Sequence, residues 1–311
     1  MFQQLLFAIS VFVFLIFTPC SAFAENEIIR NKTVRNKNIT AGNRLAVLKS
    51  GKTQNSNILD GGLEDVFHGG ISQNAVIRKG GKLLLAGGKS FGAVIHDGGL
   101  MEVREYQKKS SYAANTRVSS GGRMNVYNRS LAEKITVESG GLLRVYFPKS
   151  LISDVTVLPG GLLHVWKHGT AQNVNVAPGG LLELREESPV LKGKIRISGQ
   201  LKASFDHKPD VRQAKIIIDL SKRKISDDYA IINLDYLGKT DICIEVSENQ
   251  APGLYRLASQ AGKSKQSLKL AIGGQYQQLI LQKPISYAGK YYTLSHDSEN
   301  NLELQISSKT F

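Results

Sequence analysis

Cysteine is nearly absent from this 311-residue chain, which has two, Cys20 and Cys243. The first lies in an apolar leader that the sequence marks for removal, so the mature chain keeps one thiol and cannot form an internal disulfide. Exported domains often depend on such cross-links; this one must be held by packing. Aromatic residues make up only 7% of the chain, with a single Trp. Acidic residues number 26 against 40 basic, for a formal net charge of +14. Residues 25–209 hold 27 basic and 15 acidic side chains and residues 210–311 hold 13 and 11, so the excess sits in the first part. A surface of that sign favours polyanions such as lipopolysaccharide, acidic glycans or nucleic acid, or serves solubility alone.

Long hydrophobic runs are also missing after residue 24, where nothing approaches the ~20 apolar residues of a spanning helix. The one apolar run, residues 5–17, is broken only by Ser10 and leads to the small-residue site Ala22-Phe23-Ala24. It reads as a secretory signal peptide cut after Ala24, although no Lys or Arg precedes it. An uncleaved anchor is the alternative.

What the chain has in abundance is a repeat. Gly-Gly pairs begin at 61, 80, 98, 121, 140, 160 and 179, with Gly42-Asn43 one step earlier and Ser198-Gly199 one step later. The steps run from 18 to 23 residues, and most are 19. Three residues before each pair stand Ile39, Ile58, Ile77, Ile95, Val118, Val137, Val157, Val176 and Ile195. Two residues after each come Leu45, Glu64, Leu83, Met101, Met124, Leu143, Leu163, Leu182 and Leu201, with Glu64 the one misfit. Four residues after come Val47, Val66, Leu85, Val103, Val126, Val145, Val165, Leu184 and Ala203. The positions between the last two columns, such as Asp65, Glu102, Arg144, His164, Glu183 and Lys202, are mostly polar.

This is period-2 alternation on either side of a tight turn, the mark of half-buried strands. Strands this short cannot bury a face alone. Stacked in parallel ~4.8 Å apart they turn each column into a continuous ladder, and nine rungs make a rod roughly 40 Å long. The expected fold is an all-β, right-handed parallel β-helix (β-solenoid), the hand following from the chirality of parallel crossovers. A left-handed β-helix wants hexapeptides and a strict coil length, which the drifting steps do not give. Leucine-rich repeats have similar length, but their Asn or Cys ladder and helical half are missing.

Residues 25–37 are polar and basic and are expected to cap the first open edge, where charge discourages pairing. Repeats fill residues 38–205. After Ala203 the register dissolves into further strand signals separated by turns at Pro252-Gly253, Gly273-Gly274 and Asn300-Asn301. Residues 206–311 are expected to form a β-rich cap on the solenoid or a small separate β-domain.

Chemistry is hard to find in this sequence. The stretch LLHVWKHGT places His164, Trp166 and His168 on alternate positions of one strand, but no neighbouring rung is expected to add a Cys, Asp or Glu at that column to complete a zinc shell. The histidines read as lone surface groups, and no metal or cofactor is expected. β-Helix glycosidases need two carboxylates at a set separation; Asp65, Glu102 and Glu183 are scattered over distant rungs. One step is four residues too long, and the extra residues fall after Val103. Insertions between repeats become loops on one face. Tyr106, Lys108, Lys109 and Tyr112 there mix aromatic and cationic groups that suit an anionic glycan, and they are the candidate ligand-binding residues; an ordinary surface loop is the plainer reading.

The recurring units ITVESGGLLRV, VTVLPGGLLHV and VNVAPGGLLEL resemble the passenger repeats of AIDA-type autotransporter adhesins over roughly residues 38–205. The resemblance implies a bacterial surface protein of β-helix fold that mediates adhesion or aggregation, exported to the cell surface or beyond, with the periplasm as an alternative. Its partners would be an anionic glycan, lipopolysaccharide or a host-cell surface, with no specific nucleic acid and no membrane-spanning segment in the mature chain. The family's terminal membrane β-barrel has no counterpart among the ~100 residues after the repeats, where no series of ~10-residue alternating strands is written. An enzyme acting on an acidic polysaccharide and a structural spacer are the competing readings.

Overall fold

The computed structural model describes residues 25–204, 208–263 and 266–308; the expected signal peptide lies outside them. The chain coils as a parallel β-solenoid of about ten turns at ~19-residue spacing. Each turn gives one strand to a first sheet and one strand, or in the early turns two short ones, to a second. Leu63–Phe67 pairs in parallel with Lys82–Ala86, which pairs with Leu100–Arg104, and so on along the first sheet. The second sheet stacks segments such as Ile71–Gln73 on Lys89–Phe91. Among the described residues the two sheets hold 15 and 18 strands.

The three apolar columns expected from the sequence are buried, with Ile58, Val157, Leu163 and Val165 at 0% exposure. Two further inward columns line the second sheet. One runs Thr53, Ser72, Ser90, Ala113, Ala132 and Ile152; the other runs Ser56, Ala75, Ala93, Thr116, Ile135 and Val155. Sequence alternation misses them because their early rungs are small or hydroxylated.

These hydroxyls explain the misfit at Glu64. Its carboxyl is fully buried and accepts from Thr53 Oγ1 at 2.5 Å and Ser56 Oγ at 2.6 Å. Burial is the largest influence on it and raises its pKa above the ordinary 4.5, against the pull of these hydrogen bonds. A carboxyl with a raised folded-state value stabilises the fold most below its unfolded value, and that contribution is lost as pH rises from there through the folded value. Glu64→Gln keeps the shape and removes the titration. The difference in thermal midpoint between wild type and Glu64→Gln is therefore expected to grow in the variant's favour as pH rises from 4 to 8. A difference that stays flat with pH would mean that Glu64 does not sit neutral in the core.

Two register details differ from the sequence reading. Val176 pairs with Ile197, and Ile195 pairs with Val174. One residue is added in the corner before Val190, one in a bulge between Gln172 and Val174, and two are removed at Ser198-Gly199, so Leu182 still meets Leu201. A slip of two keeps Ile195 inward, which is why the column looked unbroken. The second difference is a ladder of left-handed residues in the bend of the second sheet: Asn36, Asn55, Asn74, Asn115, Lys134, Asp154 and Asn173 have φ between 52° and 57°. Asn55 Nδ2 donates to Asn36 Oδ1 and Asn74 Nδ2 to Asn55 Oδ1, each at 3.3 Å. The chain does carry an asparagine ladder, therefore, on the outside of a bend. Asn tolerates that conformation better than other side chains.

The ladder also reaches past the expected limits of the repeats. Glu25–Ile29 pairs with Asn43–Val47. Glu27 takes the inward register of Leu45 at this end, held by Lys37 at 2.9 Å and Lys32 at 3.5 Å. An inward charge at an edge strand opposes end-to-end pairing. Beyond the joint at residues 204–213, of which 205–207 lie outside the described residues, the register resumes. Ile216 stacks on Ile195, Ile242 on Ile216 and Leu268 on Ile242, the last two steps being 26 residues long. Antiparallel strands Leu302–Ser307, Lys290–His296 and Ile285–Tyr287 then close the first sheet, and Gln275–Gln278 closes the second.

Candidate functional site

On the flat face of the first sheet, charge is consumed between neighbouring rungs. Arg44 Nε donates to Asp65 Oδ2 at 2.5 Å, and Asp65 is fully buried beneath it. Lys82 reaches Glu102 at 2.8 Å. Glu183 lies between Arg185 at 3.2 Å and Lys202 at 3.3 Å. Glu183 is also the register partner of His164, which corrects the expectation of no acid in that column. His164 is 5% exposed rather than a surface histidine. Its Nε2 lies 3.0 Å from Glu183 Oε2 without hydrogen-bond geometry. Burial, then Arg185 and Arg144, hold its pKa down to about 4 against Glu183. A neutral histidine and one carboxylate do not make a metal centre, and among the described residues no group of three or more His, Cys, Asp or Glu could hold one. The expected dispersal of Asp65, Glu102 and Glu183 stands, each with its own cationic neighbour.

Beside this column the aromatic residues form a stack. Tyr127 and Tyr146 are parallel at 5.0 Å, and Trp166 meets Tyr146 edge-on at 5.2 Å. Arg144 and Arg185 lie over the Trp166 ring at 5.6 and 5.4 Å, and His164 stacks on it at 5.8 Å. The rings spend their faces on one another and on guanidinium groups, which stabilises the ladder.

The corner that follows this stack has a different character. In the first rung it is turned by Ser50 at φ 60°, and in the second and third by glycines, Gly69 at φ 80° and Gly87 at φ 84°. Later rungs adopt the same left-handed geometry with Arg129 (φ 50°), Lys149 (φ 67°) and His168 (φ 63°), and Lys167 (φ 41°) stands beside the last. A side chain there costs on the order of 1 kcal/mol or more relative to glycine. Serines tie the corner beneath. Ser111 Oγ donates to the Arg104 carbonyl at 2.7 Å and accepts from Gly87 N at 2.8 Å; Ser150 Oγ donates to the Phe147 carbonyl at 2.5 Å.

The insertion after Val103 lands on this same corner. Tyr106 and Lys109 bridge a tight turn whose tip is Gln107 (φ 48°) and Lys108 (φ 62°), and both lysines are exposed. Tyr106 packs edge-on against Phe67 at 5.8 Å. Tyr112 stands apart, in the second-sheet strand Tyr112–Ala114, 5.7 Å from Phe91. Its hydroxyl donates to Glu133 Oε1 at 2.5 Å, and that bond first, then burial, pushes its pKa up to about 12. The structure thus groups Tyr106, Lys108 and Lys109 at one turn and places Tyr112 apart from them, on the second sheet. Sequence reasoning found the insertion but missed Arg129, Lys149 and Lys167; for Arg129 and Lys149 the signal was the loss of glycine from a corner position that Gly69 and Gly87 fill.

Four successive rungs therefore raise a cation at one corner: Lys108 and Lys109, Arg129, Lys149, and Lys167. Arg129 is 3.8 Å from Glu105 and Lys167 3.5 Å from Glu186, while Lys108, Lys109 and Lys149 have no ion pair among the described residues. A separate open groove of about 410 Å³ on the second sheet is lined by Asn115, Arg117, Lys134, Thr136, Asp154 and Thr156. Asp154 there accepts from Asn173 at 3.1 Å.

No family model matches this sequence, and no curated protein matches it. Among solved structures, the crystal structure of the TibC-catalysed, hyper-glycosylated TibA fragment spanning its residues 55–350 is similar, with a TM-score of 0.50 at 19% identity over 80% of this chain and 85% of that one. The likeness concerns fold: the β-solenoid anticipated from the repeat, that of AIDA-type autotransporter passengers, is the one this chain adopts.

Proposed function

We propose that the protein is a non-catalytic, exported surface module that mediates adhesion or aggregation by contacting an anionic glycan, lipopolysaccharide or a host-cell surface. The observation that carries this is the corner on which four successive rungs hold cations outward in a conformation glycine would adopt more easily. Backbone cost retained at exposed positions points to use rather than packing. The passenger-like solenoid supports the same reading. An enzymatic reading finds no support in Asp65, Glu102 and Glu183, which stand on separate rungs, each beside a cation.

The test is retention of the protein, freed of its leader, on immobilised heparin and lipopolysaccharide. Binding is expected near 20 mM salt and release by a few hundred millimolar, since exposed charges are screened over ~8–10 Å at 0.1–0.15 M. Passage through both columns unretained at low salt would refute adhesion through charge. Fractionation of the native cell, following the intact chain by antibody, tests export; a cytoplasmic pool alone would refute it.

A further inference from the structure

Resting on that reading, we infer that the cationic corner is a linear subsite for an acidic polysaccharide lying parallel to the solenoid axis, with anionic groups meeting successive rungs. Three features favour this chemistry. Arg129 and Lys149 hold equivalent corner positions on adjacent rungs, with Lys108 and Lys167 on the rungs that flank them, and at ~4.8 Å per rung the four rungs span about 15 Å. An extended sugar residue has a length close to one rung, so an acidic chain can meet the cations in step. Arg129 and Lys149 are exposed in left-handed turns, and at Lys149 no acid competes among the described residues.

The neighbouring aromatics argue against a single-stranded nucleic acid. Such ligands are held by bases stacked on open aromatic faces, whereas Tyr127 and Tyr146 stack on each other, and Trp166 sets its edge against Tyr146 and lies beneath Arg144 and Arg185. A lipid surface fits poorly as well. Of the large apolar side chains exposed in this structure, Phe147, 38% exposed, is the one that lies in the corner turns, and one ring is little to insert into an acyl layer.

The experiment uses the full chain without its leader and a series of sulfated oligosaccharides from disaccharide to decasaccharide, titrated by calorimetry at low salt. Affinity is expected to rise several-fold with each added disaccharide until the ligand spans the four rungs, and then to level off. Lys108→Gln, Arg129→Gln and Lys149→Gln should each lower the affinity of the longer oligomers and make the log–log salt slope shallower by roughly one. Lys79→Gln, at the Gly-Gly corner, should change neither.

Arg129→Gly and Lys149→Gly separate the binding role from a structural one. They are expected to weaken binding while leaving the thermal midpoint unchanged or higher, because glycine relieves the left-handed geometry. A fall in midpoint with unchanged affinity would make these residues structural and overturn the subsite. Equal affinity for all oligomer lengths, or tighter binding to a single-stranded oligonucleotide or to phosphatidylglycerol vesicles, would overturn it too while leaving the adhesive reading in place. Failure to bind any polyanion would remove both.

Discussion

Replacing Val157 by Asp is expected to abolish cooperative folding of the solenoid, whereas the same change at Ile39 costs far less. Val157 is fully buried and paired in register with Val137 on one side and Val176 on the other. A carboxylate there has no partner in an all-aliphatic column, and burying it unpaired costs several kcal/mol or forces the group neutral at a still substantial cost. That alone is a large part of the ~5–15 kcal/mol that holds an ordinary domain together. The one-dimensional build makes the position decisive. Each rung is stabilised by its two neighbours, so a break in the middle strands two half-solenoids, whereas a break at an end frays one rung. Ile39 is equally buried, but among the described residues its column has a neighbour on one side only, Ile58. Thermal unfolding followed by circular dichroism checks this. Equal losses of midpoint in the two variants would contradict stacking as the source of stability.

The second large effect concerns the Gly-Gly corner, where the two glycines do different jobs. Gly140 has φ 72°, and a Cβ there would meet the flexible Ser120 hydroxyl at 2.8 Å and the Ser120 Cα at an ordinary 3.4 Å. Gly140→Ala should therefore cost about 1 kcal/mol, the penalty for a side chain in the left-handed region. Gly141 is not left-handed, yet a Cβ on it would sit 2.3 Å from the Val118 carbonyl oxygen of the preceding rung. That oxygen accepts from Glu138 N at 2.9 Å, a bond that joins the two rungs. Gly141→Ala must push the rungs apart or displace the acceptor, and it should cost roughly 3 kcal/mol from overpacking plus a weakened hydrogen bond. Chemical denaturation of both variants decides the order. If Gly140→Ala is the more damaging, backbone conformation and not the approach of neighbouring coils governs the corner.

Much of this was written plainly in the chain. The three apolar columns gave the solenoid and its register because a buried strand face repeats every second residue and a stacked coil repeats the whole pattern. The insertion at Tyr106, Lys108 and Lys109 was visible as a step four residues too long. What stayed hidden follows from the same physics. The inward columns of the second sheet run early through Thr53, Ser72 and Ser90 in one and Ser56 in the other, whose composition looks like surface. The slip that pairs Val176 with Ile197 was hidden because it is an even number of residues and its additions and removals cancel over one coil.

The sequence by itself determined that the chain stacks parallel coils of about 19 residues around an aliphatic core, because hydrophobic periodicity and glycine spacing are local properties. Only the tertiary structure decided which residues of different coils share a corner. Lys108, Arg129, Lys149 and Lys167 are 18 to 21 residues apart in the chain, with no common flanking motif. Parallel pairing sets them on consecutive rungs, and the left-handed turn that exposes them depends on backbone angles that three residue types, Arg, Lys and His, adopt here against their own preference.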